Sequence, residues 1–226
     1  MGPLATVDFM EKVIRSTKAS RDQDHIPMMV SCVPQIPDRT DAIRCAGPDP
    51  LPEMLRGVVR LETAGATRIV IPCNTAHYWY DQVAAFSRVP IDNIVDACLD
   101  RIRATGSKAC KVGLLATAGT IEGRVYHRRS GDLDIQTLDE TGVELSMQAI
   151  RLVKQGKVEP ARDIFIRLVE ELRMQGCSRV VMACTEIPVA LTAASELSDV
   201  LVDPTLVLAE HCVVQFAAAE QQAQAA

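Results

Sequence analysis

Gly65-Ala-Thr-Arg68-Ile-Val-Ile-Pro-Cys73-Asn-Thr75 is echoed half a chain later by Gly176-Cys-Ser-Arg179-Val-Val-Met-Ala-Cys184-Thr-Glu186. In both segments glycine precedes the final cysteine by eight positions and arginine precedes it by five. Each reads as a helix stop, a short buried strand, and a cysteine where the strand gives way to a new helix. Weaker echoes pair Ile94-Val95-Asp96 with Leu201-Val202-Asp203, and Met1-Gly2-Pro3 with Ala118-Gly119-Thr120. Together they read as a duplicated α/β half. Lys111-Val-Gly-Leu-Leu115 stands as a strand before Ala118-Gly119, and nothing stands before Met1-Gly2. The first half is therefore expected to lack its first β-strand at the N-terminus.

The segments around this repeat alternate helix and strand. Val7, Met10, Val13 and Ile14 give Thr6 to Thr17 a helical spacing, and Ile26 to Cys32 reads as a strand. Pro34 to Pro52, broken hardest at Gly47-Pro48-Asp49-Pro50, reads as a loop. Leu51 to Ala64 reads as a helix stopped by Gly65, and Arg68 to Pro72 as a strand. Asn74 and Thr75 are good caps for a helix running to about Phe86. Further short strands are expected at Ile91 to Val95, Lys111 to Leu115, Val180 to Ala183 and Val200 to Val202. Helices near 97–105, 139–155, 159–175 and 205–219 lie between and after them. Strands separated by such helices predict an α/β fold with parallel sheets. The repeat divides it into two similar domains related by a pseudo-twofold axis. Residues 1–97 with the C-terminal helix 205–226 form one, and residues 98–204 the other.

Composition narrows the function. The chain has 226 residues, 48% hydrophobic and 23% charged, the balance of a globular protein rather than a disordered one. Its net charge of −5 and lack of a basic tract argue against a nucleic-acid partner, which demands cations to displace counterions. No apolar run approaches the ~18 residues of a membrane span, and no signal peptide opens the chain, so a soluble cytoplasmic protein is expected. Of the eight cysteines (Cys32, Cys45, Cys73, Cys98, Cys110, Cys177, Cys184 and Cys212), no two stand at C-x-x-C spacing. That disfavours a zinc site or a disulfide scaffold, and most of them read as small buried hydrophobes. No glycine-rich phosphate loop follows any strand, so no nucleotide cofactor is expected.

Cys73 and Cys184 differ from the others by position. Ligands of open α/β sheets bind beyond the carboxyl ends of the strands. A thiol there, at a helix N-terminus, lies near partial positive charge that lowers its pKa from ~8.5 towards neutrality. Two such thiols from duplicated halves would face each other across one cleft. Either alone reads as a strand-end core cysteine. The pair suits racemisation, in which a base on one face of Cα removes a proton and an acid on the other returns one. The carbanion charge spreads onto a carboxylate that needs fixed donors, for which Asn74, Thr75 and Thr185 are candidates. A cysteine hydrolase fits less well, since neither cysteine has its own His/Asn pair. His77, four residues after Cys73, reads equally as a thiolate neighbour or a structural histidine. Glu186 reads as a partner for a substrate ammonium or as a carboxylate favouring a helix N-terminus.

The chain resembles the aspartate/glutamate racemases that work without pyridoxal phosphate. The matching segments are Met1-Gly-Pro-Leu-Ala-Thr6, Pro34-Gln-Ile-Pro-Asp-Arg-Thr40, Pro72-Cys-Asn-Thr-Ala-His77, Gly113-Leu-Leu-Ala-Thr-Ala-Gly-Thr120 and Ala183-Cys-Thr-Glu186. The resemblance implies two α/β domains with the active site between them, Cys73 and Cys184 as the two proton donors and acceptors, no metal or organic cofactor, and a homodimer. It also implies that Arg39 holds the acidic side chain of the substrate, with Gln35 in the same loop. Lys154 would contribute to carboxylate binding, Asn74, Thr75 and Thr185 would bind the α-carboxylate or amino group, and Thr117 and Thr120 would line the cleft. Two departures stand out. The family opens with a strand ending in Gly-Gly that this sequence does not show, and Cys32-Val33 precedes Pro34 where Asn-type residues are usual. Rival readings are a sister enzyme (a hydantoin racemase, maleate isomerase or decarboxylase) or an inactive amino-acid-binding protein.

Overall fold

The computed structural model describes residues 2–105, 111–191 and 197–224, with side chains to residue 222; Met1 and Cys110 lie outside the described residues. The first part of the chain runs α1 (Pro3–Ser16), α2 (Arg39–Ile43), α3 (Leu51–Thr63), β1 (Ile69–Val70), a 3-10 turn (Thr75–Trp79), α4 (Tyr80–Phe86), β2 (Ile91–Asp92) and α5 (Ile94–Ala104). The second continues with β3 (Lys111–Ala116), α6 (Ala118–Glu122), β4 (Asp134–Thr137), α7 (Glu140–Lys154) and α8 (Val158–Met174). It closes with β5 (Arg179–Ala183), α9 (Glu186–Leu191), β6 (Leu201–Val202) and α10 (Pro204–Gln224). Strands β1 and β2 pair in parallel, and a second, all-parallel sheet has the order β4-β3-β5-β6. The α/β class with parallel sheets is as the alternating pattern requires. No helix among the described residues is long and apolar enough to cross a membrane.

Strand alternation decides which helices cover which face. From β3 and β5, Leu115, Val180 and Met182 point into one core with Ile150, Val153, Phe165, Leu168 and Leu172 of α7 and α8. Val112, Leu114, Val181 and Ala183 point the other way, into a core shared with Phe9 of α1, Leu99 of α5 and Leu208 of α10. Gly113 keeps β3 and α8 close: a Cβ there would stand 3.1 Å from Leu172. Lys12 fastens α1 to the start of α10 by a salt bridge to Asp203 (2.7 Å) and a hydrogen bond to Thr205 Oγ1 (2.8 Å). A third core, around Met54, Val58, Ile69, Trp79, Val83 and Ile91, joins α3 and α4 to the smaller sheet.

The two repeated segments share their turn. Gly65 and Gly176 take φ of +89° and +87°, where a side chain would be strained. The following amide in each case reaches back five residues, Ala66 to Leu61 and Cys177 to Leu172. This is the long bond of a Schellman ending, so each glycine stops its helix as the sequence suggests.

Elsewhere the structure departs from the sequence pattern. Residues 26–32 form no strand; Ile26 and Met28 face a core while Met29 and Val30 are exposed. The alternation holds only to Met29, and a strand also requires a neighbouring backbone, whereas β1 and β2 pair only with each other. The expected loop at 34–52 contains α2, because the Asp38 carboxylate accepts from the Thr40 and Asp41 amides (2.8 and 3.1 Å) and starts a turn. Asn74 and Thr75 do not cap: Asn74 already has helical φ and ψ of −59° and −51°, and both side chains bond elsewhere. The sequence pattern missed β4, an edge strand with partly exposed residues, and the short helix α6, whereas α9 begins just after Cys184 as expected.

Candidate active site

A cleft of about 230 Å³ opens beyond the carboxyl ends of β1, β3 and β5. Cys73 and Asn74, with Thr75, enter it from the segment after β1, and Cys184, Thr185 and Glu186 from the end of β5. Thr117 comes from the end of β3, Arg39 from α2, and Lys154 from α7. Nine of the expected site residues therefore meet in one place. Two do not. Gln35 is exposed in the turn before α2 and stays away from the cleft wall, and Thr120 lies wholly buried behind it. The cleft also takes Gly2, Asp38, Thr40, Asp41, Met147, Ile150 and Arg151, none of them anticipated. A signal for four of the lining residues was present, since Met147, Ile150, Arg151 and Lys154 fall at i, i+3, i+4 and i+7 on one helix face. A wider cavity of about 720 Å³ adjoins α6 and α7 and shares Met147 and Arg151, but neither cysteine faces it.

The two thiols have different surroundings. Cys73 is half-buried. Cys184 is buried, and its Sγ–H donates to Glu186 Oε2 at 3.0 Å. Burial, reinforced by the Glu186 carboxylate, pushes the Cys184 thiol well above its ordinary range. The expectation that a helix start would lower it fails at this cysteine, because desolvation outweighs whatever the short α9 contributes. Glu186 is held in place by the Thr185 hydroxyl, which donates to the same oxygen at 3.3 Å. Gly2 leaves it room, since a Cβ at Gly2 would lie 2.9 Å from Glu186 Oε1.

Behind the cleft, Thr75, Thr117 and Thr120 join their hydroxyls in a closed triangle with sides of 3.0, 2.8 and 2.9 Å. Thr120 thus supports the wall rather than lining it. Asn74 is 2% exposed; its Oδ1 accepts from the Tyr126 hydroxyl at 2.6 Å, and its Nδ2 has no partner. The Arg39 guanidinium donates through Nη1 to the Ile36 and Pro37 carbonyls (3.1 and 2.9 Å), while its buried Nε is unpartnered. The lining residues thus include two buried, unpartnered N–H groups, Asn74 Nδ2 and Arg39 Nε, and three cations, Arg39, Arg151 and Lys154, a set suited to a small anion.

His77 is a structural residue. Its Nε2 accepts from the Ile94 amide at 3.2 Å, so its hydrogen is on Nδ1, which donates to the Cys73 carbonyl at 2.9 Å. The ring thus fixes the Cys73 backbone while remaining neutral, its pKa pushed down to about 4 by burial. The unfolded chain binds the proton more readily, so stability is full above pH 6.5 and falls as pH drops towards 4. The loss is expected to total about 3 kcal/mol across that window. Urea unfolding at a series of pH values reads it. His77→Gln should flatten this part of the profile, and an equally steep profile in that variant would remove the assignment.

Comparison with known proteins identifies the family. The family model for Asp/Glu/Hydantoin racemase matches residues 1–212. The broad specificity amino-acid racemase RacX of Bacillus subtilis is 29% identical over 231 residues, covering 96% of each chain. A glutamate racemase of Deinococcus radiodurans is 30% identical over 166 residues, 69% of this chain and 55% of that protein. Among solved structures, the Picrophilus torridus aspartate racemase is 28% identical and superposes with a TM-score of 0.81, over 92% of this chain and 88% of that one. With a match of that extent, the chain belongs to the Asp/Glu/Hydantoin racemase family.

Proposed function

We propose that this protein racemises an acidic amino acid, aspartate or glutamate, without a cofactor, with Cys73 and Cys184 as opposed base and acid. The observation that carries the reading is that both thiols line one small cleft furnished with unpaired N–H donors and cations. One cysteine, as thiolate, takes the Cα proton; the electron pair spreads onto the α-carboxylate; the other, as thiol, returns a proton to the opposite face. The Glu186 hydrogen bond keeps Cys184 in its thiol form, so Cys184 serves as the acid in the direction that Cys73 opens as the base. The reverse direction requires Cys184 to lose its proton, and Lys154 favours the resulting charge. Asn74 Nδ2 receives the α-carboxylate, and the Thr75 and Thr185 hydroxyls, whose hydrogens go to the threonine triangle and to Glu186, offer their oxygens to the α-amino group. Arg39, with Arg151 and Lys154, receives the side-chain carboxylate. The two structural halves, 1–97 with 205–226 and 98–204, and a homodimeric assembly belong to the same proposal.

The test is racemisation of L-aspartate, L-glutamate, L-alanine and L-lysine by the purified chain with no cofactor added, followed by optical rotation. Loss of rotation with aspartate or glutamate is expected; turnover of alanine or lysine alone would contradict the acidic assignment. Solvent deuterium entering Cα separates racemisation from mere binding and from a sister activity. Arg39→Ala should weaken aspartate by about tenfold in kcat/KM relative to alanine, the scale of a lost charge-assisted hydrogen bond. An unchanged ratio would remove Arg39 from side-chain recognition.

A further inference from the structure

The Asn74 side-chain amide is fixed from behind the cleft. Tyr126 is fully buried, on the segment that follows α6, and gives its hydroxyl hydrogen to Asn74 Oδ1 at 2.6 Å. Cys98, also fully buried, is another side-chain neighbour of the phenol. Burial pushes the Cys98 thiol up to about 12 and the phenol higher than its ordinary range, so both keep their hydrogens. The phenol hydrogen goes to Asn74 Oδ1.

A primary amide has two faces of opposite use. Its oxygen repels a carboxylate, and its NH₂ group binds one. With Oδ1 taken by Tyr126, the unpartnered Nδ2 is the polar group that Asn74 has left to offer the cleft. We infer that Tyr126 is a positioning residue, which sets the Asn74 amide so that its NH₂ group meets the substrate carboxylate. This rests on the proposed role of Asn74 as a carboxylate donor and adds the residue that orients it. Tyr126 touches no substrate and acts only through Asn74. A buried donor aimed beforehand needs no reordering when the ligand arrives, which is where the affinity comes from.

The test uses the full chain and four proteins: parent, Tyr126→Phe, Asn74→Ala and the double variant. KM and kcat for L-aspartate and calorimetric L-aspartate affinity are the readouts. Tyr126→Phe should raise KM and weaken binding by about tenfold, with kcat changed by less than about threefold, the scale of one ordering hydrogen bond. Asn74→Ala should do at least as much, and the double variant should be no weaker than Asn74→Ala alone. Parent-like affinity in Tyr126→Phe beside a weakened Asn74→Ala overturns the inference and leaves the proposed function standing. So does a double variant in which the two losses compound. Parent-like affinity in Asn74→Ala, or a parent chain that binds no aspartate, overturns the reading of the site and the inference with it. Should Tyr126→Phe fail to fold by circular dichroism, Cys98→Ala loosens the phenol from its other side-chain neighbour. It should weaken aspartate about twofold to threefold, Cys98→Ser should restore it, and unchanged affinity in Cys98→Ala overturns the inference.

Discussion

Cys73→Ser and Cys184→Ser should each lower turnover by about 10³-fold or more while folding like the parent, since general acid–base groups supply effects of that size. A serine hydroxyl is far less acidic than a thiol and offers no comparable base at neutral pH. The change is nearly isosteric, and at position 184 a hydroxyl can still donate to Glu186 as the thiol does. Thermal unfolding should therefore move little in either variant. The two losses should also differ in kind. Cys184→Ser keeps the hydrogen bond that holds the acid, whereas Cys73→Ser alters a half-buried residue that no such carboxylate holds among the described residues. Parent-like turnover in either variant, in both directions, would remove the two-base assignment.

Gly119→Ala should destabilise the protein by about 3 kcal/mol, the upper part of the range for forcing extra atoms into a packed site. Gly119 sits on α6 against α2, and a Cβ there would lie 2.7 Å from Thr40 Cα and 2.8 Å from Thr40 Oγ1. The nearest obstacle is backbone, so no rotamer change relieves the clash and α2 must retreat. That helix carries Arg39, Thr40 and Asp41 into the cleft, so KM should rise along with the loss of stability. Urea unfolding and aspartate kinetics on the same preparation measure both. Unchanged stability and KM would mean that the α2–α6 contact does not position the cleft wall.

Much of this was legible in the sequence because it rests on local rules. The glycine stops at Gly65 and Gly176 take the left-handed backbone that the helix-then-strand pattern demands. The cysteines fall where strands end, so the spacing alone brings Cys73 and Cys184 towards the same side of parallel sheets. What escaped depends on partners distant in sequence. Ile26 to Cys32 has strand-like residues but no neighbouring backbone to pair with. Asn74 has the composition of a cap, yet its oxygen is claimed by Tyr126, fifty-two residues away. Thr120 shares a motif with Thr117, but the hydroxyl triangle draws it behind the wall. Glu186 was readable as a helix-start carboxylate, whereas its contact with Cys184 emerges only from the turn between β5 and α9.

The central claim is that protons leave and return through different cysteines, and the most direct measurement is deuterium content early in the reaction. L-aspartate would be incubated with the enzyme in D₂O and stopped at low conversion. The residual L-aspartate and the new D-aspartate would then be separated and analysed by NMR. A two-base site predicts deuterium at Cα of nearly every D-aspartate molecule while the remaining L-aspartate keeps its original hydrogen. D-aspartate carrying the hydrogen of its own precursor would mean that a single base removes and returns the proton, and would contradict the account.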